Sequence, residues 1–313
     1  MAFMWMVEAL GWIGSRARWL LAVGVLAAFF MPGASAALRP ALAPIVALVF
    51  CIAMARIDLG GMLRRLGNAR HLLRLSLWSL ALMGLTPVVL WLLGHAVGLP
   101  DSHIAAMVYT AVAPPITSAA ALCLLIGLEA AFALELTMIA SLLTPVIGPV
   151  VSKALLGEAL PVDGFSLGLR VAAIIFGGGL AALALRWSLG AVRIERHAKA
   201  FDGLAAIAMW LVVVAVLDGA GARVMAEPGM ALGVFALALA VNFGMQIVTA
   251  PVVARSWQAL GGAAGLMWGN RTVALYLAAL PFDPVFALYV AFYQVPMLFT
   301  PLIMGPLLIR NTK

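Results

Sequence analysis

Apolar residues run along this chain in stretches of about 20, the length a helix needs to cross a bilayer, with short polar turns between them. Ten such segments stand near 19–36, 41–57, 74–98, 103–126, 130–152, 165–187, 203–221, 230–254, 262–280 and 284–309. Two of them are interrupted. The fourth carries Pro114-Pro115, and consecutive prolines cannot both sit in a regular helix interior, because each lacks an N–H and clashes with the preceding turn. The ninth carries Gly269-Asn270-Arg271, with Asn270 following Pro114 by 156 residues (270 − 114). Unwound backbone at membrane depth is tolerated only where protein or a water-filled cavity satisfies it. A packing kink explains one proline, but not the polar residues around each break: Thr117 and Ser118 after the first, Asn270, Arg271 and Thr272 in the second. Matched breaks in two halves of a chain point to the binding site of a carrier.

The same offset recurs. Thr144-Pro145 in the fifth segment and Thr300-Pro301 in the tenth are also 156 apart, and Gly148-Pro149 matches Gly305-Pro306 after one inserted residue. These pairs predict two repeats, 1–157 and 158–313, of five spans each. An odd number of spans makes the second copy start on the opposite face, so the repeats are inverted.

Composition narrows the class. With 65% hydrophobic and 10% charged residues, this is no ordinary soluble domain, which carries roughly a quarter charged residues. The net charge of +7 is placed unevenly: with the N-terminus inside, fourteen Lys and Arg fall in inner segments and three (Arg39, Lys153, Arg223) in outer ones. That is a positive-inside pattern, predicting both termini in the cytoplasm. The basic excess faces the inner leaflet, and no nucleic-acid motif accompanies it. Cys51 and Cys123 lie in different segments without metal or redox spacing, so they read as small buried hydrophobes. Residues 16–36 have some features of a signal peptide, but a retained first helix preserves the charge alternation. Residues 1–15 are expected to form an interfacial helix.

The run Ala113-Pro114-Pro115-Ile116-Thr117-Ser118, then Leu142-Leu143-Thr144-Pro145, then Gly269-Asn270-Arg271-Thr272-Val273-Ala274-Leu275 resembles the bile acid:sodium symporter family and its wider superfamily. Ile52-Ala53-Met54 before the basic loop adds to the likeness, which spans nearly the whole chain. The resemblance implies ten helices in a core (segments 3–5 and 8–10) and a panel (1, 2, 6 and 7), with helices 4 and 9 broken and crossed. It implies substrate binding between core and panel beside the breaks, alternating access, and a bacterial-type inner membrane. The departures matter as much. Where sodium-coupled relatives carry ion ligands, this chain has Leu82, Ala120, Gly265 and Gly269; Thr137 and Asn270 remain. A hard cation needs several oxygen ligands, so the usual two-sodium coupling is not expected, and proton coupling stays open. The arsenite branch places a cysteine beside the break, where this chain has Pro115, so arsenite is not expected as substrate.

Arg271 stands out among the polar residues, because a mid-membrane guanidinium is costly unless paired. Two readings stand side by side. Either it recognises an anionic substrate through its planar fork, or it forms a fixed ion pair, with Glu135 as candidate partner, in place of a bound cation. Glu135 lies about 200° around its helix from Thr137, whose face also holds Ser141 and Thr144, so Glu135 and Thr137 do not easily serve one site. Asn242, Gln246 and Thr249 form a stripe suited to helix–helix hydrogen bonding. The expected substrate contacts are Pro114, Pro115, Thr117, Ser118, Asn270, Arg271 and Thr272, with Thr137, Glu135 and Asn270 as candidates for ion coupling. No cofactor or metal is expected. The chain lacks HExxH, GxSxG or a paired-acid motif, which argues against an intramembrane enzyme. The sequence thus predicts a secondary carrier for an organic anion or amphipathic solute; the alternative is a sensor or lipid-binding protein on a carrier fold.

Overall fold

The computed structural model of the chain describes residues 2–16, 32–57, 59–217 and 219–312. Among these, the regular elements are helices, and the only extended pairing is one isolated bridge. Among the described residues, seven helices are long and apolar enough to cross a membrane: Gly33–Ala55, Ala69–Ala96, Ala130–Ala159, Gly164–Leu189, Ala198–Val216, Pro228–Ala254 and Pro284–Ile303. The chain is an all-α, multi-pass membrane protein. Leu73, Leu77, Leu80 and Leu85 lie exposed along one such helix, as residues facing lipid do.

The fourth and ninth segments come as two pieces each, Asp101–Val112 with Ala119–Ile126 and Gly261–Gly269 with Ala274–Ala279. The first expected segment lies outside the described residues except for positions 32–36. No turn separates those positions from the second segment. Helix Pro32–Leu38 runs through a 3-10 turn, Arg39–Ala41, into helix Leu42–Ala55. Pro40 sits in the first turn of the 3-10 stretch that links the two helices, a position where proline is tolerated. It therefore continues the helical run instead of reversing the chain.

Two compact units can be distinguished, and each draws on both halves of the chain: 1–58 with 172–227, and 59–171 with 228–313. In the first, helix Ala2–Ser15 lies so close to Ala198–Val216 that a Cβ on Gly203 would sit 2.0 Å from the carbonyl oxygen of Leu10. The expected interfacial helix is thus packed on a neighbour through glycine, while Trp5 and Trp12 remain exposed. Polar contacts in this unit gather at helix ends. Arg186 Nη1 donates to the Ala55 and Ile57 carbonyls at 2.8 and 2.7 Å, closing the C-terminus of Leu42–Ala55 where a cation suits the helix dipole. Arg56 pairs with Asp202.

The second unit holds both breaks. Gly261, Gly265 and Gly269 recur every four residues and face Pro228–Ala254. Added Cβ atoms would fall 2.8 Å from the Ala250 carbonyl, 3.1 Å from that of Gln246 and 2.5 Å from that of Asn242. Such a small-residue stripe lets two backbones approach in lipid. On the other side Gly148 accommodates Tyr276, whose hydroxyl would lie 1.7 Å from a Cβ there.

Candidate functional site

The two breaks meet. Pro115 and Arg271 form an antiparallel bridge, with Ile116 N donating to Asn270 O at 3.0 Å and Thr272 N to Pro114 O at 2.9 Å. The bridged positions are 156 apart (271 − 115), and each hydrogen bond maps onto the other by the same shift (272 − 116; 270 − 114). The residues that face each other are those the sequence offset pairs. Thr272 Oγ1 adds a bond to Pro115 O at 3.0 Å.

Buried backbone groups must find partners, and the fate of each explains Arg271. In an unbroken helix Trp268 O would accept from Thr272 N, but that N–H is diverted to Pro114. Ala113 O loses its helical continuation because the chain turns extended there, with ψ 146°. A third carbonyl comes from a π-helical turn, Ala81–Leu85, inside Ala69–Ala96. Thr86 N bonds Ala81 O; the next N–H in that register would belong to Pro87, which has none. Leu82 O is left over. Arg271 fills all three vacancies: Nε to Trp268 O at 2.8 Å, Nη1 to Ala113 O at 2.9 Å and Nη2 to Leu82 O at 3.2 Å. The side chain is fully buried. Its charge lies beside the C-termini of Asp101–Val112 and Gly261–Gly269, each equivalent to about half a negative charge. Together they offset roughly one positive charge, so no carboxylate is needed.

The Arg271–Glu135 pair, one of the two readings above, is not formed. Glu135, also buried, takes Arg65 Nε at 2.6 Å and His71 Nε2 at 2.8 Å. The reason is the helical angle anticipated above: Glu135 projects away from the face of Thr137, Ser141 and Thr144. Those three hydroxyls bond back to their own helix, to the carbonyls of Ala133, Thr137 and Ala140, each at 2.7 Å. Glu135, held by Arg65 and His71, therefore sits in different surroundings from these three hydroxyls.

Asn270 faces inward. Its Nδ2 donates to Leu266 O at 2.8 Å, and its Oδ1 lies 3.1 Å from Thr300 Oγ1. Gln246 Nε2 reaches both Thr300 Oγ1 at 3.1 Å and Asn242 Oδ1 at 2.7 Å. Asn242 Nδ2 and Tyr293 OH converge on Gly269 O, the next carbonyl released by the break. Asn242 and Gln246 thus belong to a helix–helix network, as their spacing suggests; Thr249, half-buried, has no hydrogen bond assigned within it. Of the expected contact residues, Pro114, Pro115, Asn270 and Arg271 are buried, Thr117 and Thr272 are half-buried, and Ser118 is exposed. Arg65, His71 and the Leu82 carbonyl escaped sequence reasoning. Thr86-Pro87 was the available signal for the last, because a proline withdraws an N–H from the turn before it. No family model matches the chain, and no curated protein matches it.

Proposed function

We propose that this protein is a secondary carrier for an organic anion or amphipathic solute, working by alternating access without sodium coupling. The observation that carries the reading is the bridge between two unwound segments, each in the middle of an apolar stretch and 156 residues apart. Membrane chains break helices where a solute or ion must meet backbone and polar side chains. Ten spans in two inverted repeats, with both termini cytoplasmic in an inner membrane, complete the reading; the shared offset and the uneven placement of charge support them.

The geometry also divides the labour at the site. Thr117, Ser118 and Thr272 keep some exposure and are the groups a solute would meet. Arg271 is committed to three carbonyls; it acts as a fixed internal cation and not as the solute's partner. Carbonyl ends are what a hard cation would seek, and here a side chain holds them. Gly265 and Gly269, where the resemblance leads one to look for ligand side chains, are packed against the neighbouring helix. The residues present do not fit a two-sodium site.

Purified protein in proteoliposomes should accumulate labelled amphipathic anions, with conjugated bile acids and steroid sulfates as probes, equally under sodium and choline gradients. Sodium-driven uptake would overturn the uncoupled reading. Binding without uptake of any probe would favour the second reading, a sensor on a carrier fold, which the permanently filled carbonyls also support.

A further inference from the structure

The same unit contains a concavity that the carrier reading does not use. A cleft of about 900 Å³ is lined by Arg64, Arg65, Arg70, His71 and Arg74, together with Asn68, Glu129 and Glu135. Glu135 is occupied by Arg65 and His71. Arg74 Nη2 donates to His71 Nδ1 at 3.2 Å; because Arg only donates, the imidazole carries its proton on Nε2, toward Glu135. The buried carboxylate, paired with Arg65 and His71, thus anchors one wall and leaves Arg64, Arg70 and Arg74 against Glu129 around the opening.

Two features set this apart from ordinary positive-inside arginines. Those need only face the headgroup region, whereas these converge on one cavity. They also stand where a helix disfavours them. Arg70, His71 and Arg74 occupy the first two turns of Ala69–Ala96, whose N-terminus is capped by Asn68 accepting from Arg70 N and His71 N. Cations there add to the positive end of the helix dipole, a local conflict that makes sense when an anion is to be held. Phe132, Ala131 and Leu260 supply an apolar wall beside the charges. We propose that this cleft binds a phosphate-bearing anion, through the forked donors that suit phosphate oxygens. The charge distribution places it on the cytoplasmic side, where anionic headgroups are recognised by basic pockets of this kind. The proposal stands whether or not the protein transports anything.

The test is thermal unfolding of the detergent-purified full chain with dihexanoyl phosphatidylglycerol, dihexanoyl phosphatidylcholine, glycerol 3-phosphate or inorganic phosphate. A ligand of the native state raises the midpoint by mass action, and a rise of roughly 3 °C or more is expected with at least one phosphate anion and none with phosphatidylcholine. A rise with phosphatidylglycerol alone identifies a lipid headgroup, and a rise with glycerol 3-phosphate or phosphate a soluble anion. Arg64→Gln/Arg70→Gln alters two exposed residues and leaves both partners of Glu135 in place; it should lose the rise while keeping its ligand-free midpoint. Should the double variant fold poorly, Arg70→Gln alone should halve the response or better. Equal responses in wild type and variants, or no response to any phosphate anion, would overturn the proposal.

Discussion

The two breaks differ in chemistry although one offset relates them. The first, around Pro114-Pro115, is rich in acceptors and poor in donors: both prolines lack an N–H, Ile116 N alone donates from the backbone to Asn270 O, and the carbonyls of Ala113, Pro114 and Pro115 all accept from the second break. The second, around Asn270-Arg271, offers donors in excess, from Arg271, Thr272 and Asn270. Each would be unsatisfied beside a copy of itself. Thr144 and Thr300 both bond back to their own helices, but Thr144 otherwise lies 3.9 Å from Met83 Sδ, whereas Thr300 also reaches Gln246 and Asn270. A repeat that keeps its spacing while its halves become complementary produces an unwound crossing with few loose polar groups. The buried proline-rich strand is cheap to desolvate because it carries no spare N–H.

The hardest blow to that complementarity is removal of the donor side. Arg271→Met keeps bulk and length but leaves the Leu82, Ala113 and Trp268 carbonyls without their donors. At about 1–3 kcal/mol for each buried group left unmade, the variant should lose several kcal/mol and unfold at a much lower temperature in detergent. Arg271→Lys should recover part, since a point charge reaches fewer of the three than a planar fork. Arg271→Ala, which opens a carbonyl-lined space, should gain stability from added sodium or potassium that the wild type does not show. An alanine variant as stable as wild type in choline would mean that the carbonyls are satisfied some other way.

A smaller loss is expected from Gly269→Ala. Its new Cβ would meet Gln246 Cγ at 2.3 Å and the Asn242 carbonyl at 2.5 Å. Gln246 can rotate, but a helix carbonyl cannot move without its helix, so overpacking should cost about 1–3 kcal/mol. It should also disturb the hydrogen bonds onto Gly269 O. Gly244 has open space where a Cβ would stand, so Gly244→Ala is the control and should leave the midpoint nearly unchanged. Equal effects at the two glycines would break the claim that the glycine stripe positions the second break.

Much of this arrangement was legible in the chain. Apolar run lengths located the membrane helices, and the prolines and Gly269-Asn270 located the breaks, because those residues act locally on backbone geometry. What could not be read was where long side chains go. Arg271 and Glu135 are both buried charges, and sequence alone made them natural partners; helical angle and the supply of free carbonyls decided otherwise. The π-helical turn was hidden because its cause is a register shift completed by one missing N–H at Pro87. The gap between the segments expected at 19–36 and 41–57 is helical, because proline is tolerated in the first turn of a helix.

The least destabilising test bears most directly on function. Thr117 and Ser118 follow the first break on a turn that leads into Ala119–Ile126, one half-buried and the other exposed. Ser118 stands at the N-cap position but makes no side-chain capping bond, so its hydroxyl is not committed to the helix end. Substitutions away from cores, caps and networks usually change stability by about 0.5 kcal/mol or less. Thr117→Val and Ser118→Ala should therefore leave the unfolding midpoint within error. If a solute approaches the crossing from the acceptor-rich side, these hydroxyls are the donors available to it, and losing one that is desolvated on binding should weaken uptake or affinity about fivefold to tenfold, from roughly 1–1.5 kcal/mol per hydrogen bond. The contrast with Arg271 is the point of the measurement. Stability should depend on Arg271 in the second break and solute recognition chiefly on the hydroxyls that follow the first. If Ser118→Ala and Thr117→Val leave uptake untouched while Arg271→Lys, folded, abolishes it, the guanidinium is the recognition element after all and the division between the two breaks is wrong.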